Sequence, residues 1–152
     1  MVYMTALLDQ LEEADVLEVA ARLSISPTDA GILLLPRRTA PSVLRTLSRR
    51  PPPAPSVVYE ALSPVPIEGL LYLLASARPK SAQKTISEFI THGRFVRPPI
   101  SGDDLTAMGL APGPIYRQIM AELRAATIDG KLKNREEAIA WVREKYGQSV
   151  NR

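Results

Sequence analysis

The sequence predicts an all-α protein: a multi-helix body followed by a small helical tail, about nine or ten short helices in all. Two observations carry that prediction. Apolar residues recur at three- and four-residue spacing through most of the chain, bracketed by residues suited to helix caps. The alternating β-branched runs, Asn-Gly hairpins and glycine-rich loops that would announce a sheet are missing. A chain of 152 residues, 45% apolar and 23% charged, can bury one respectable core or two small lobes.

In chain order, the spacing predicts helices over 3–11 and 12–23, with Leu7, Leu8 and Leu11 and then Val16, Leu17, Ala20 and Leu23 facing the core. Glu13 and Asp15 form an acid-x-acid pair, but side chains two apart on a helix point away from each other, which argues against metal chemistry there. Ser26, Pro27 and Asp29 form a helix start. The run Ile32 to Leu35 then meets Pro36, which has no N–H to continue the ladder, so this helix is expected to be short. A separate helix is expected around Val43, Leu44 and Leu47, ended by Pro51-Pro52-Pro53-Ala54-Pro55, which reads as a stiff spacer. Helices follow over 56–62 and 66–77. The second is apolar nearly all round through Ile67, Leu70, Leu71, Leu73 and Leu74, as a helix central to a core would be. Residues 81–92 place Ile86, Phe89 and Ile90 on one face and stop at Gly93, a C-cap candidate. His92 has no partner at ligand or triad spacing and suits a helix C-terminus.

Residues 100–130 are the most tightly specified stretch. Ser101 followed three residues later by Asp104 is a capping-box-like start. That helix should stop at Gly109 in a left-handed C-cap, which lets Leu110 touch Leu105. Ala111, Pro112 and Gly113 make a turn, and Pro114 suits a first helical position. The next helix carries Ile115, Ile119, Leu123 and Ala126 on one face, flanked by Tyr116 and Met120. Asn134, with Glu137 three residues on, starts a last helix whose apolar face holds Ala138, Trp141, Val142 and Tyr146, and fraying is expected beyond Gly147.

These same residues carry a family resemblance. Ser-Gly-Asp-Asp-Leu at 101–105, Gly-Leu-Ala-Pro-Gly-Pro at 109–114, Asp-Gly-Lys-Leu at 129–132 and Asn-Arg-Glu-Glu-Ala at 134–138 resemble, in order and spacing, the C-terminal region of bacterial tRNA nucleotidyltransferases and poly(A) polymerases. Residues 89–99, with Phe95-Val96-Arg97-Pro98, look like that family's body-to-tail junction. Met1 to Leu23 and Ser63 to Ala75 resemble its helical body more loosely. The resemblance implies a body segment over 1–98 and a tail segment over 99–152. One departure stands out: Arg117 occupies a place where the family usually has a small residue, and so either adds a phosphate contact or forbids a close helix approach.

Charge and missing motifs bound the function. Residues 1–25 carry one Arg against five acids, 26–98 ten basic against four acidic, and 99–152 eight against seven, so the middle is the basic part of a chain of net charge +3. A polyanion-facing surface or an ordinary solvated face would both look like this. With no cysteine there is neither a disulfide framework nor a thiolate metal site. No apolar run approaches the roughly 20 residues that span a bilayer, and the expectation is a cytoplasmic protein without a membrane partner. There is no Walker loop, dinucleotide fingerprint or nucleophile elbow. The family's catalytic head carries a Gly-Ser motif and an Asp-x-Asp pair holding magnesium; this chain has neither, and the adjacent Asp103-Asp104 pair reads as structural.

The resemblance therefore implies a non-catalytic portion that contacts the elbow and T-arm of tRNA. It implies no cofactor for this chain, magnesium and a nucleoside triphosphate belonging to a head in the same polypeptide. The candidate RNA contacts are Gly113 at the helix start, Arg117 and Arg124 near one face of that helix, and Lys131, Lys133 and Arg135 just beyond it. A helical protein-interaction or dimerisation module, a homodimer included, is the alternative. A helix-turn-helix DNA reader is disfavoured because the helix after the turn begins with apolar residues.

Overall fold

The computed structural model describes residues 2–8 and 10–147. Among these the chain is all α, with nine α-helices, one 3-10 turn (Gly93–Phe95) and no strand. The helices are α1 (Val2–Leu7), α2 (Glu13–Arg22), α3 (Pro27–Leu47), α4 (Pro55–Leu62), α5 (Ile67–Ser76), α6 (Lys80–Thr91), α7 (Gly102–Ala107), α8 (Pro114–Ile128) and α9 (Arg135–Tyr146). No single helix among the described residues is long and apolar enough to cross a membrane. The fraying expected beyond Gly147 lies outside the described residues. The chain divides into two compact units, one of residues 1–53 and 57–94, the other of 54–56 and 95–152.

The first unit is built along α3. Ser26 caps it, its Oγ accepting the Asp29 N–H at 3.1 Å and donating to Asp29 Oδ2 at 2.7 Å. The helix then runs unbroken through Pro36 and Pro41, so the short helix and the separate second helix expected from the sequence are one. Each proline removes only one ladder bond, whereas the buried face continues past both: Leu33, Ala40 and Leu47 lie seven apart, with Ala30, Leu34 and Val43 beside them. Burial along that stripe on both sides of each proline outweighs the missing bonds. Leu33 and Leu34 pack with Leu8 and Val16, while Ala40, Val43 and Leu47 pack with Leu62, Leu70, Leu73, Ile86 and Phe89.

Several apolar positions face water instead. Leu7 (75% exposed) at the end of α1, and Leu17 and Leu23, lie outside the core they were expected to join; α2 buries only the narrow Val16 and Ala20 stripe, which leaves Leu17 and Leu23 outside it. On α5, Leu70 and Leu73 are fully buried while Ile67 and Leu71, one turn apart, are exposed, so that helix has an outer face after all.

Gly93 is also not a left-handed C-cap: among the described residues, those with positive φ are Ser24, Gly109 and Gly130. A Cβ on Gly93 would meet Phe89 Cδ2 at 3.0 Å, so close packing explains the glycine. His92 is the C-cap of α6, its N–H donating to the Glu88 carbonyl and its Nδ1 lying 2.8 Å from Thr91 Oγ1.

Candidate nucleic-acid interface

The second unit is organised by its caps. Ser101 and Asp104 form the capping box of α7: the Ser101 N–H donates to Asp104 Oδ2 at 2.8 Å and its hydroxyl to the same oxygen at 3.1 Å. Gly109 (φ 86°) ends the helix in a Schellman motif, with Leu110 N–H to Leu105 O at 3.2 Å and Gly109 N–H to Thr106 O at 2.9 Å. Leu105 and Leu110 are buried in one core with Ile100, Ile119, Leu123, Leu132, Ala138 and Val142. Tyr116 fastens the turn to α8, its hydroxyl donating to the Leu110 carbonyl at 2.5 Å and lying 3.2 Å from Thr106 Oγ1.

α8 ends as α7 does. Gly130 (φ 73°) sends its N–H to Thr127 O at 3.0 Å, and Lys131 N–H reaches Ala126 O at 2.9 Å. Asn134 caps α9, with Oδ1 accepting the Glu137 N–H at 2.8 Å and Glu137 Oε1 accepting from Asn134 Nδ2 at 2.9 Å. Glu137 Oε2 takes the Lys133 N–H at 2.8 Å, which fixes the backbone that carries the Lys133 side chain. Asp129 accepts from the N–H and hydroxyl of Ser56, at 2.9 and 3.0 Å.

The six candidates fall into different surroundings. Gly113 is the N-cap of α8 with φ 178°, an extended conformation open to any residue, and Pro114 follows at N1. A Cβ there would find only Ala111 O, at 3.9 Å. The fold therefore does not demand glycine at 113. Arg117 is exposed one turn in, with no carboxylate partner among the described residues, and Lys133 is likewise exposed and unpaired by side chain. Arg124 shares the helical face of Arg117 by spacing, yet it is half-buried and engaged within the fold. Lys131 lies 3.7 Å from Asp129, and Arg135 Nη2 lies 2.6 Å from Asp104 Oδ1. Apart from Arg124, the candidates thus fall into two groups, Gly113 with Arg117 at the start of α8, and Lys131, Lys133 and Arg135 from the end of α8 to the first residue of α9.

Electrostatics follow from those partners. The Ser101 N–H and then the Arg135 guanidinium hold the Asp104 carboxyl down to about 2. Lys145, with Gln118, holds Glu122 down to about 2 as well, and the Lys145 ammonium lies 5.0 Å from the Trp141 ring centroid. Both pairs join separate helices. Their sequence separations of 31 and 23 residues give no local spacing by which to find them. Glu13 likewise pairs with Arg38 on α3, whose hydrogen bond lowers its pKa, and no group of three His, Cys, Asp or Glu is gathered for a metal among the described residues.

Comparison with known proteins adds what geometry alone lacks. The chain is 29% identical over 140 residues, 90% of its length, to an A-adding tRNA nucleotidyltransferase of Geobacter sulfurreducens. Along that stretch the chain is similar to a tRNA nucleotidyltransferase. An A-adding tRNA nucleotidyltransferase of Halalkalibacterium halodurans is similar over 88 residues at 25% identity, 57% of this chain. The matched stretches span only 16% and 20% of the length of these two relatives. No family model and no solved structure matches it.

Proposed function

We propose that this chain is a non-catalytic, tRNA-contacting C-terminal portion of a tRNA nucleotidyltransferase or poly(A) polymerase-like enzyme, reaching the elbow and T-arm of its substrate. The observation that carries this reading is the similarity itself: nearly the whole chain aligns with a protein named for adding A to tRNA while occupying 16% of that protein. The surface chemistry supports the same direction. Phosphate binding needs cations that are not already neutralised, and Arg117 and Lys133 are exposed without a carboxylate partner among the described residues. Lys131 and Arg135 contribute less, since each shares its charge with an aspartate. In this reading magnesium and the nucleoside triphosphate belong to a catalytic head in the same polypeptide.

Binding of a labelled tRNA transcript across a salt series tests the proposal. Each phosphate contact contributes a log-log slope of roughly 0.7 to 0.9, so Arg117→Ala and Lys133→Ala should each lower the slope by about one unit and weaken binding while leaving the melting curve unchanged. The purified chain should incorporate neither labelled ATP nor CTP into tRNA with magnesium present. Salt-independent binding to tRNA would overturn the phosphate reading. A second reading, an apolar interaction module, rests on the exposed Tyr3 and Leu7 one turn apart on α1. It calls for association of the chain with itself or another protein that scarcely responds to salt.

A further inference from the structure

We infer that the C-terminal end of α3 carries a second phosphate-binding site, formed by Arg45, Arg49 and Arg50 in the first unit. The inference rests on the RNA-binding reading and extends it beyond the tail.

Six basic residues in this structure are neutralised where they stand. Arg22 pairs with Glu18, Arg38 with Glu13, Lys84 with Glu88, Lys131 with Asp129, Arg135 with Asp104 and Lys145 with Glu122. Arg45, Arg49 and Arg50 are not among them: all three are exposed, none has a carboxylate partner among the described residues, and they fall within six residues of one another along the chain. They also sit close together. Arg45 lies in the last turn of α3, and Arg49 and Arg50 follow within three residues of its end, past the Ser48 C-cap. Like charges gathered at one helix end repel, and the negative end of the helix dipole offsets the repulsion only in part.

The backbone beneath them is ordered. Ser48 N–H donates to Leu44 O at 3.0 Å and Arg49 N–H to Thr46 O at 3.3 Å, while the buried Val43 and Leu47 anchor the same turns in the core. Three guanidiniums at one helix end, each a planar fork matched to phosphate oxygens, suit neighbouring phosphates of one polynucleotide strand. The basic balance of residues 26–98 thereby acquires a location.

The experiment compares the full 152-residue chain with the triple variant R45A/R49A/R50A, its lysine counterpart R45K/R49K/R50K, and R78A/K80A, which removes exposed cations elsewhere in the same unit. A tRNA transcript is titrated at several salt concentrations, and circular dichroism melts check folding. The triple alanine variant should bind severalfold more weakly, with the salt slope lowered by roughly two to three units, and the lysine variant should retain most of that slope. R78A/K80A should lose less per charge removed. Equal loss per charge in both alanine variants would mean a diffuse field and overturn the site. If the parent chain binds tRNA and Arg117→Ala weakens it while the triple variant does not, the α3 site falls and the tail reading stands. If the parent chain binds anionic phosphatidylserine vesicles but no tRNA, both fall.

Discussion

Arg135, the first residue of α9, donates through Nη2 to Asp104 Oδ1 of α7 at 2.6 Å, so a candidate RNA contact is also a brace between two helices of the second unit. The Ser101 N–H and the guanidinium lower the Asp104 pKa to about 2. A carboxyl depressed on folding contributes stability above its ordinary value, and that contribution is lost as pH falls through roughly 4 to 2. Melting temperature should therefore drop over that window. In Asp104→Asn the drop should be shallower, measured by circular dichroism at successive pH values. The same substitution frees Arg135, so tRNA binding at neutral pH should tighten. Weaker binding would mean that Arg135 serves RNA only while Asp104 holds it in place.

Helix ends and core stripes are legible in this chain because they are local. Ser101 with Asp104, Asn134 with Glu137 and Gly109 before Leu110 each set their cap within a few residues, and the structure has all three. Pro36 misleads for the converse reason. A missing N–H is visible in the sequence, but the burial that outweighs it comes from partners such as Leu62 and Leu73, distant along the chain. The candidate site is legible as residue types and not as charge balance, since whether Arg135 or Arg117 is available depends on whether a carboxylate from another helix reaches it.

Pro41 tests the account of α3 directly. It is exposed, lies inside the helix, and denies the Arg37 carbonyl its usual donor. Pro41→Ala restores the donor without disturbing the buried stripe. It should stabilise the chain by on the order of 1–3 kcal/mol in urea denaturation. A destabilised variant would show that the proline ring itself is needed there.

Three helices end in the same paired hydrogen bonds, but with different residues in the left-handed position. Gly109 and Gly130 stand at two of them and Ser24 (φ 56°) at the third, where Ile25 N–H reaches Ala20 O at 2.9 Å. An L side chain in that region costs roughly 1–2 kcal/mol. A Cβ on Gly130 would meet nothing within 4 Å, so Gly130→Ala isolates the conformational cost and should destabilise by about 1 kcal/mol. Ser24→Gly should recover about as much. Opposite signs in equilibrium unfolding are the expected result, and two losses would show that Ser24 contributes through its hydroxyl.

Gly113 offers the cleanest separation of structural from functional roles. Its extended φ of 178° suits any residue, and a Cβ would approach Ala111 O no closer than 3.9 Å, so Gly113→Ala should leave thermal stability within about 0.5 kcal/mol. The N-terminus of α8 nonetheless presents backbone N–H groups and the positive end of the helix dipole, with Arg117 one turn away. A phosphate drawn there must approach the backbone, and a methyl group at 113 would stand in its way. Gly113→Ala should therefore weaken tRNA binding severalfold with melting unchanged, and combined with Arg117→Ala it should add less than the sum of the two, because both act on one phosphate. If Gly113→Ala binds tRNA as the parent does, the glycine serves only the turn, and the phosphates are held by side chains alone.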